Sequence, residues 1–194
     1  MKNFLLTVLS ICMVLGLFSV ASATVLDFDD ITTNQYAQFY SYGGLDWTHS
    51  GAVVEGYAGG YYAQSAVSGD YAFYNGDGNT ATVSISSGTF DFSGAWFTPA
   101  GKTIFGEVGV EAFFGGVSQG IVNIDLVELA PLWVDFDFVG IDMLVFTPVP
   151  STGHGSYFAM DDFTYSSNPV PEPATMLLFG LGILGIAGVN RRKK

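Results

Sequence analysis

The chain has 194 residues, is 49% hydrophobic, and carries six Lys+Arg against eighteen Asp+Glu for a formal net charge of −12. Five of the six basic residues lie at the extremities, at Lys2 and at Arg191, Arg192, Lys193 and Lys194; the interior sets Lys102 alone against all eighteen acids, a net of −17. Such a body repels phosphate backbones, which excludes nucleic-acid binding as its main role. With Cys12 as the only cysteine, the body has no disulfide, thiol nucleophile or cysteine-based zinc site.

Lys2 and Asn3 precede an apolar stretch, Phe4 to Val20, that ends in Ala21-Ser22-Ala23. This is the order of charge, apolar core and small-residue cleavage site found in a secretory signal peptide. Cleavage after Ala23 by signal peptidase makes residues 1–23 an address and starts the mature chain at Thr24. A lipoprotein reading of Cys12 fails locally, because Ile11 stands where a small residue is wanted and the apolar run continues past the cysteine.

Residues 24–168 are long enough to bury a core without disulfides. Short runs rich in Val, Ile, Phe, Tyr and Thr alternate with Gly, Asn, Asp and Ser clusters, a rhythm that predicts an all-β, antiparallel sandwich. The run from Gln35 to Tyr74 holds eight of the ten tyrosines among glycines. Its rings read either as a sugar-stacking face, with Trp47, Tyr61 and Tyr62 as the candidate ligand residues, or as amphipathic covers for the domain's own edges. Asn75-Gly76-Asp77-Gly78-Asn79 reads as a tight hairpin turn rather than half of an EF-hand loop, since Thr80 stands where the turn glycine belongs and Ser86 replaces the bidentate Glu. Thr80 to Ser86 alternates with period two and predicts a half-buried strand. Further strands are predicted at Gly88 to Ser93 with Trp96-Phe97, Thr103 to Phe114, Gly120 to Val127, Trp133 to Phe138, Ile141 to Thr147 and Ser156 to Tyr165, with Gly115-Gly116 as a turn.

Catalysis has little material. His49 and His154 are the only histidines, and neither a Gly-x-Ser-x-Gly elbow nor an H-E-x-x-H helix occurs in the body, so the domain reads as non-enzymatic.

Residues 169–194 begin with Pro171-Glu172-Pro173, continue through an apolar run from Met176 to Val189 and end in Arg191-Arg192-Lys193-Lys194. Sixteen residues of helix from Ala174 would cover about 24 Å, short of a bilayer core of about 30 Å, so the segment reads as a marginal single span and a transient inner-membrane anchor. The basic tail keeps the C-terminus in the cytoplasm and the acidic body outside. Gly180-Leu181-Gly182-Ile183-Leu184-Gly185 matches G-x-G-x-x-G, but no acidic residue follows it, so its glycines read as helix-packing positions rather than a nucleotide site.

Pro171-Glu172-Pro173, the short Gly-rich apolar run and the basic end together resemble the PEP-CTERM sorting signal. The resemblance implies recognition by an exosortase, cleavage near Pro171-Glu172-Pro173 and delivery to the outside of a bacterium that makes extracellular polysaccharide. Within the body, Leu26-Asp27-Phe28-Asp29, Tyr42-Gly43-Gly44-Leu45-Asp46-Trp47, Gly88 to Phe92, Gly140 to Phe146 and Phe158 to Phe163 are similar to the ectodomain common in PEP-CTERM proteins, which in turn is similar to jelly-roll carbohydrate-binding modules. In a jelly-roll-like sandwich the first and last strands often lie side by side, which would bring Asp27 and Asp29 near Asp161 and Asp162. Hard oxygen ligands of this kind suit Ca²⁺. An adjacent Asp pair between inward Met160 and Phe163 also suits a β-bulge. The expected function is that of a secreted or cell-surface protein of the polysaccharide matrix, with a carbohydrate-binding module holding a defined sugar site as the alternative.

Overall fold

The computed structural model describes residues 22–31, 37–48, 52–55, 62, 64–99, 106–126, 130–149, 157–168 and 180. In chain order the strands are β1 (Thr24–Leu26), β2 (Ala37–Gln38), β3 (Ser41–Tyr42), β4 (Leu45–Thr48), β5 (Ala52–Glu55), β6 (Tyr71–Tyr74) and β7 (Ala81–Ser84). They are followed by β8 (Thr89–Pro99), β9 (Gly106–Phe114), β10 (Val117–Leu126), β11 (Leu132–Ile141), β12 (Met143–Val149) and β13 (Phe158–Asn168).

The strands form two sheets. A seven-stranded sheet runs β11-β8-β13-β6-β5-β2, with β1 also on β13, and a six-stranded sheet runs β10-β9-β12-β7-β4-β3. Every pairing is antiparallel, as predicted.

Period-two alternation decides what goes between the sheets. Leu45 and Trp47 on β4, Val108, Val110 and Ala112 on β9, and Leu144 and Phe146 on β12 meet Phe90, Phe92 and Phe97 on β8 and Phe158, Met160 and Phe163 on β13 in one buried cluster. Phe92 lies at its centre, stacked on Phe163 at 4.4 Å and on Phe136 at 4.8 Å between ring centroids. Offset aromatic pairs at such distances add to simple area burial.

Two local expectations are corrected. Asn75 to Asn79 is not a hairpin: β6 and β7 belong to different sheets, and the link holds a single 3₁₀ turn over Gly76–Gly78. Buried Asn75 fixes this corner, accepting the N–H of Phe158 at 2.7 Å and donating from its side-chain amide to the Asn79 carbonyl at 3.1 Å. The opening strand stops at Leu26, so Asp27 and Asp29 fall in the turn after it rather than on it. In that turn Asp27 Oδ1 accepts the Asp29 N–H, and fully buried Phe28 takes φ +62. A bulky side chain in the left-handed region is strained, and here it is held by burial against Phe39, Trp47 and Phe73.

Among the described residues no helix is long and apolar enough to cross a membrane. The signal segment through Ala21, and all of 169–194 except Gly180, lie outside the described residues.

Candidate functional site

β1 and β13 are paired, Leu26 opposite Phe163 and Thr24 opposite Tyr165, so the first and last strands do run side by side. The predicted bulge is also present. The β13–β8 register shifts between Asp161 and Thr164, and Asp162 takes φ +49. This irregularity turns Asp161 and Asp162 toward the segment that leads into β6.

The carboxylates hold that segment by its backbone. Asp161 Oδ2 accepts the N–H of Val67 at 2.6 Å and of Ser68 at 2.9 Å, and its Oδ1 accepts the N–H of Asp162 at 2.8 Å. Asp162 Oδ1 accepts the Ser68 hydroxyl at 2.7 Å. Asp29 Oδ1 accepts the N–H groups of Asp70 at 2.9 Å and Tyr71 at 3.0 Å. Only glycine fits between these anchors: Gly69 has φ +58, and a Cβ there would lie 1.4 Å from Asp29 Oδ2. Burial pushes the Asp161 carboxyl up to about 7, against the opposing pull of the Ser68, Val67 and Asp162 amides.

The four aspartates expected to hold calcium, Asp27, Asp29, Asp161 and Asp162, are all engaged by the chain itself. Among the described residues no three His, Cys, Asp or Glu side chains gather in a way that could hold a metal ion. Each of the four aspartates instead accepts an N–H or O–H of the chain, and together they fasten the turn after β1 and the loop before β6 onto the last strand.

The aromatic candidates separate. Trp47 is 1% exposed, packed on Phe73 and Phe163 with its indole N–H donated to the Tyr42 carbonyl, and has no face to offer a ligand; the ligand expectation for it is corrected. Tyr62 stacks edge-on against Tyr74 at 5.1 Å. Tyr61, Lys102, His49 and His154, the sorting residues Pro171, Glu172 and Pro173, and the basic tail Arg191, Arg192, Lys193 and Lys194 lie outside the described residues. Ala23 is exposed directly before β1.

A pair that the sequence reading did not single out occupies the outer face of the seven-stranded sheet. Phe97 and Val134 pack on the core, so their strand neighbours Trp96 and Trp133, directly opposite each other on β8 and β11, stand on the other side. Both are half-buried, with ring centroids 5.7 Å apart and planes at 67°. Trp133 donates its indole N–H to exposed Asp135 at 2.8 Å. Its six-membered ring crosses Gly94 so closely that a Cβ there would meet ring carbon Cζ2 and the Val134 carbonyl at 2.6 Å. The next residue across the sheet from Trp96 is Asp161, so the indole corner sits beside the carboxylate-held loop.

Residues 169–193 match the PEP-CTERM protein-sorting motif. That motif indicates export and sorting to the cell surface or extracellular space in bacteria. No curated protein matches the sequence. Among solved structures, the chain is similar to a mutant family 29 carbohydrate-binding module at 17% identity and a TM-score of 0.43, over 76% of this chain and 87% of that one. It is similar to a family 11 carbohydrate-binding module of Clostridium thermocellum, in complex with a β-1,3-1,4-mixed-linked tetrasaccharide, at 12% identity and a TM-score of 0.37, over 80% of this chain and 100% of that one. It is also similar to the family 61 module TmCBM61 in complex with β-1,4-galactotriose, at 12% identity and a TM-score of 0.38, over 80% and 94%. Likenesses this distant leave the sandwich to be read from its own strand pairing.

Proposed function

We propose that the chain is a non-enzymatic matrix protein, exported through the inner membrane, cut by signal peptidase after Ala23 and by an exosortase near Pro171-Glu172-Pro173, and retained among extracellular polysaccharides. The sorting motif over residues 169–193 carries this reading. The charge pattern supports it, since removal of both cationic ends leaves a body, residues 24–168, with a net charge of −16 and Lys102 as its sole cation. Mass spectrometry of the secreted product tests it: the expected species begins at Thr24 and lacks the apolar run Met176 to Val189. A secreted product that retains that run overturns the sorting assignment. The second reading, a carbohydrate-binding module, is favoured by one observation, the half-buried indole corner of Trp96 and Trp133 on the outer face of the seven-stranded sheet.

A further inference from the structure

We propose that the corner formed by Trp96 and Trp133 is a stacking site for an uncharged glycan chain; the inference rests on the matrix reading for where such a chain is met. Three features of the corner carry it.

The first is the placement of the Trp133 ring. Gly94 lies against its six-membered ring and no Cβ fits between them, so the indole is seated close on the backbone of β8 while remaining only half-buried. Trp96 rises beside it at 67°, giving a floor and a wall of indole. An indole face is apolar and electron-rich, and it is complementary to the C–H face of a pyranose ring, whose hydrogens carry partial positive charge.

The second is pre-organisation. The indole N–H of Trp133 is fixed on Asp135 Oδ1, two residues along on the same face, so the ring has little freedom to lose when a ligand lands. The other carboxylate oxygen of Asp135, an exposed residue, accepts no hydrogen bond among the described residues and stands at the rim of the floor, where it can accept a sugar hydroxyl.

The third is charge. Asp135 lies beside the corner on a body whose residues 24–168 carry seventeen acids against Lys102 alone, a net charge of −16. A uronate-rich or sulfated chain would meet repulsion with no cation among the described residues to offset it, whereas a chain of neutral sugars would not.

The test uses the full chain in a non-glycosidic detergent, titrated with cellohexaose, mannohexaose, xylohexaose and polygalacturonate while tryptophan fluorescence and calorimetric heat are followed. At least one neutral hexasaccharide is expected to bind, polygalacturonate is not, and Trp133→Ala is expected to weaken binding about tenfold or more. Asp135→Ala alters an exposed side chain and leaves the fold in place, so it serves where Trp133→Ala lowers the melting temperature; it too is expected to weaken binding. The inference is overturned if no neutral probe binds, if both variants bind as the parent does, or if polygalacturonate binds as tightly as the neutral chains. A failure here with correctly trimmed secreted protein leaves the sorting reading standing, and an untrimmed tail overturns that reading without touching the binding result.

Discussion

Asp161 on the last strand accepts the backbone N–H of Val67 at 2.6 Å, a bond between residues 94 apart in the chain. The carboxylate is wholly buried and also takes the N–H groups of Ser68 and Asp162. Removing it leaves several donors without an acceptor, each costing about 1–3 kcal/mol when kept from water. Asp161→Ala is thus expected to lower stability by several kcal/mol in chemical denaturation, with a smaller loss for Asp161→Asn, whose side-chain carbonyl still accepts.

The same carboxylate sets a pH dependence. Its folded value of about 7 lies above the ordinary 3.8, so between these limits the folded state binds more protons than the unfolded one. Stability from this group is complete below pH ~4, falls as pH rises, and is lost above pH ~7. Melting temperatures measured from pH 4.5 to 8 should decline, and the decline should be shallower in Asp161→Asn. A steeper slope in that variant would contradict the assignment.

Calcium should have no effect on the same scale. The aspartates after β1 and on β13 accept hydrogen bonds from the chain, and among the described residues none of them joins a cluster fit for a metal. A ligand that binds only the native state raises its melting temperature. Addition of millimolar calcium, or of chelator, is expected to leave the melting temperature unchanged.

Gly69 reports on the other end of the fastened loop. A methyl group there would overlap Asp29 Oδ2 at 1.4 Å and hold a β-carbon in the left-handed region. Gly69→Ala is expected to destabilise the chain by more than about 1–2 kcal/mol. Because Gly69 and Asp161 act on one segment, the double variant should lose less than the sum of the two single losses, as a double-mutant cycle would read.

In the core, Phe92 stacks on both Phe136 and Phe163, which belong to its two neighbouring strands. Phe92→Ala should cost about 3–5 kcal/mol. Loss of near-ultraviolet circular dichroism would accompany it, since three rings lose their fixed packing.

The long strands were legible because alternation over seven or more residues survives local noise, as in β9, where Val108, Val110 and Ala112 point inward in turn. Shorter strands were harder. β2 to β6 have two to four residues each among glycines and tyrosines. Even so, Leu45-Asp46-Trp47-Thr48 alternates buried and exposed, and that phase could have placed Trp47 in the core. Trp96 was hidden for a different reason. On β8, Phe90 and Phe92 point inward at even positions, but Ala95 and Phe97 do so at odd ones, because the register slips near Gly94 opposite the irregular stretches of β11 and β13. Continued phase would bury Trp96; the slip puts it outside. A bulge in one strand is dictated partly by its neighbours, so a single-strand pattern cannot reveal it. The role of the aspartates depends on a partner loop whose amides carry no sequence signal.

The pairing of Thr24 with Tyr165 also orders events in time. Strand β1 has only three residues, and among the described residues its one strand partner is made last, so the first strand joins its sheet only after the rest of the body has been synthesised. Once β13 arrives, Thr24 becomes part of a ladder, opposite Tyr165. The front edge of the domain is thus closed by the last strand to be made, and loss of β13 would leave the first strand with no ladder to join among the described residues.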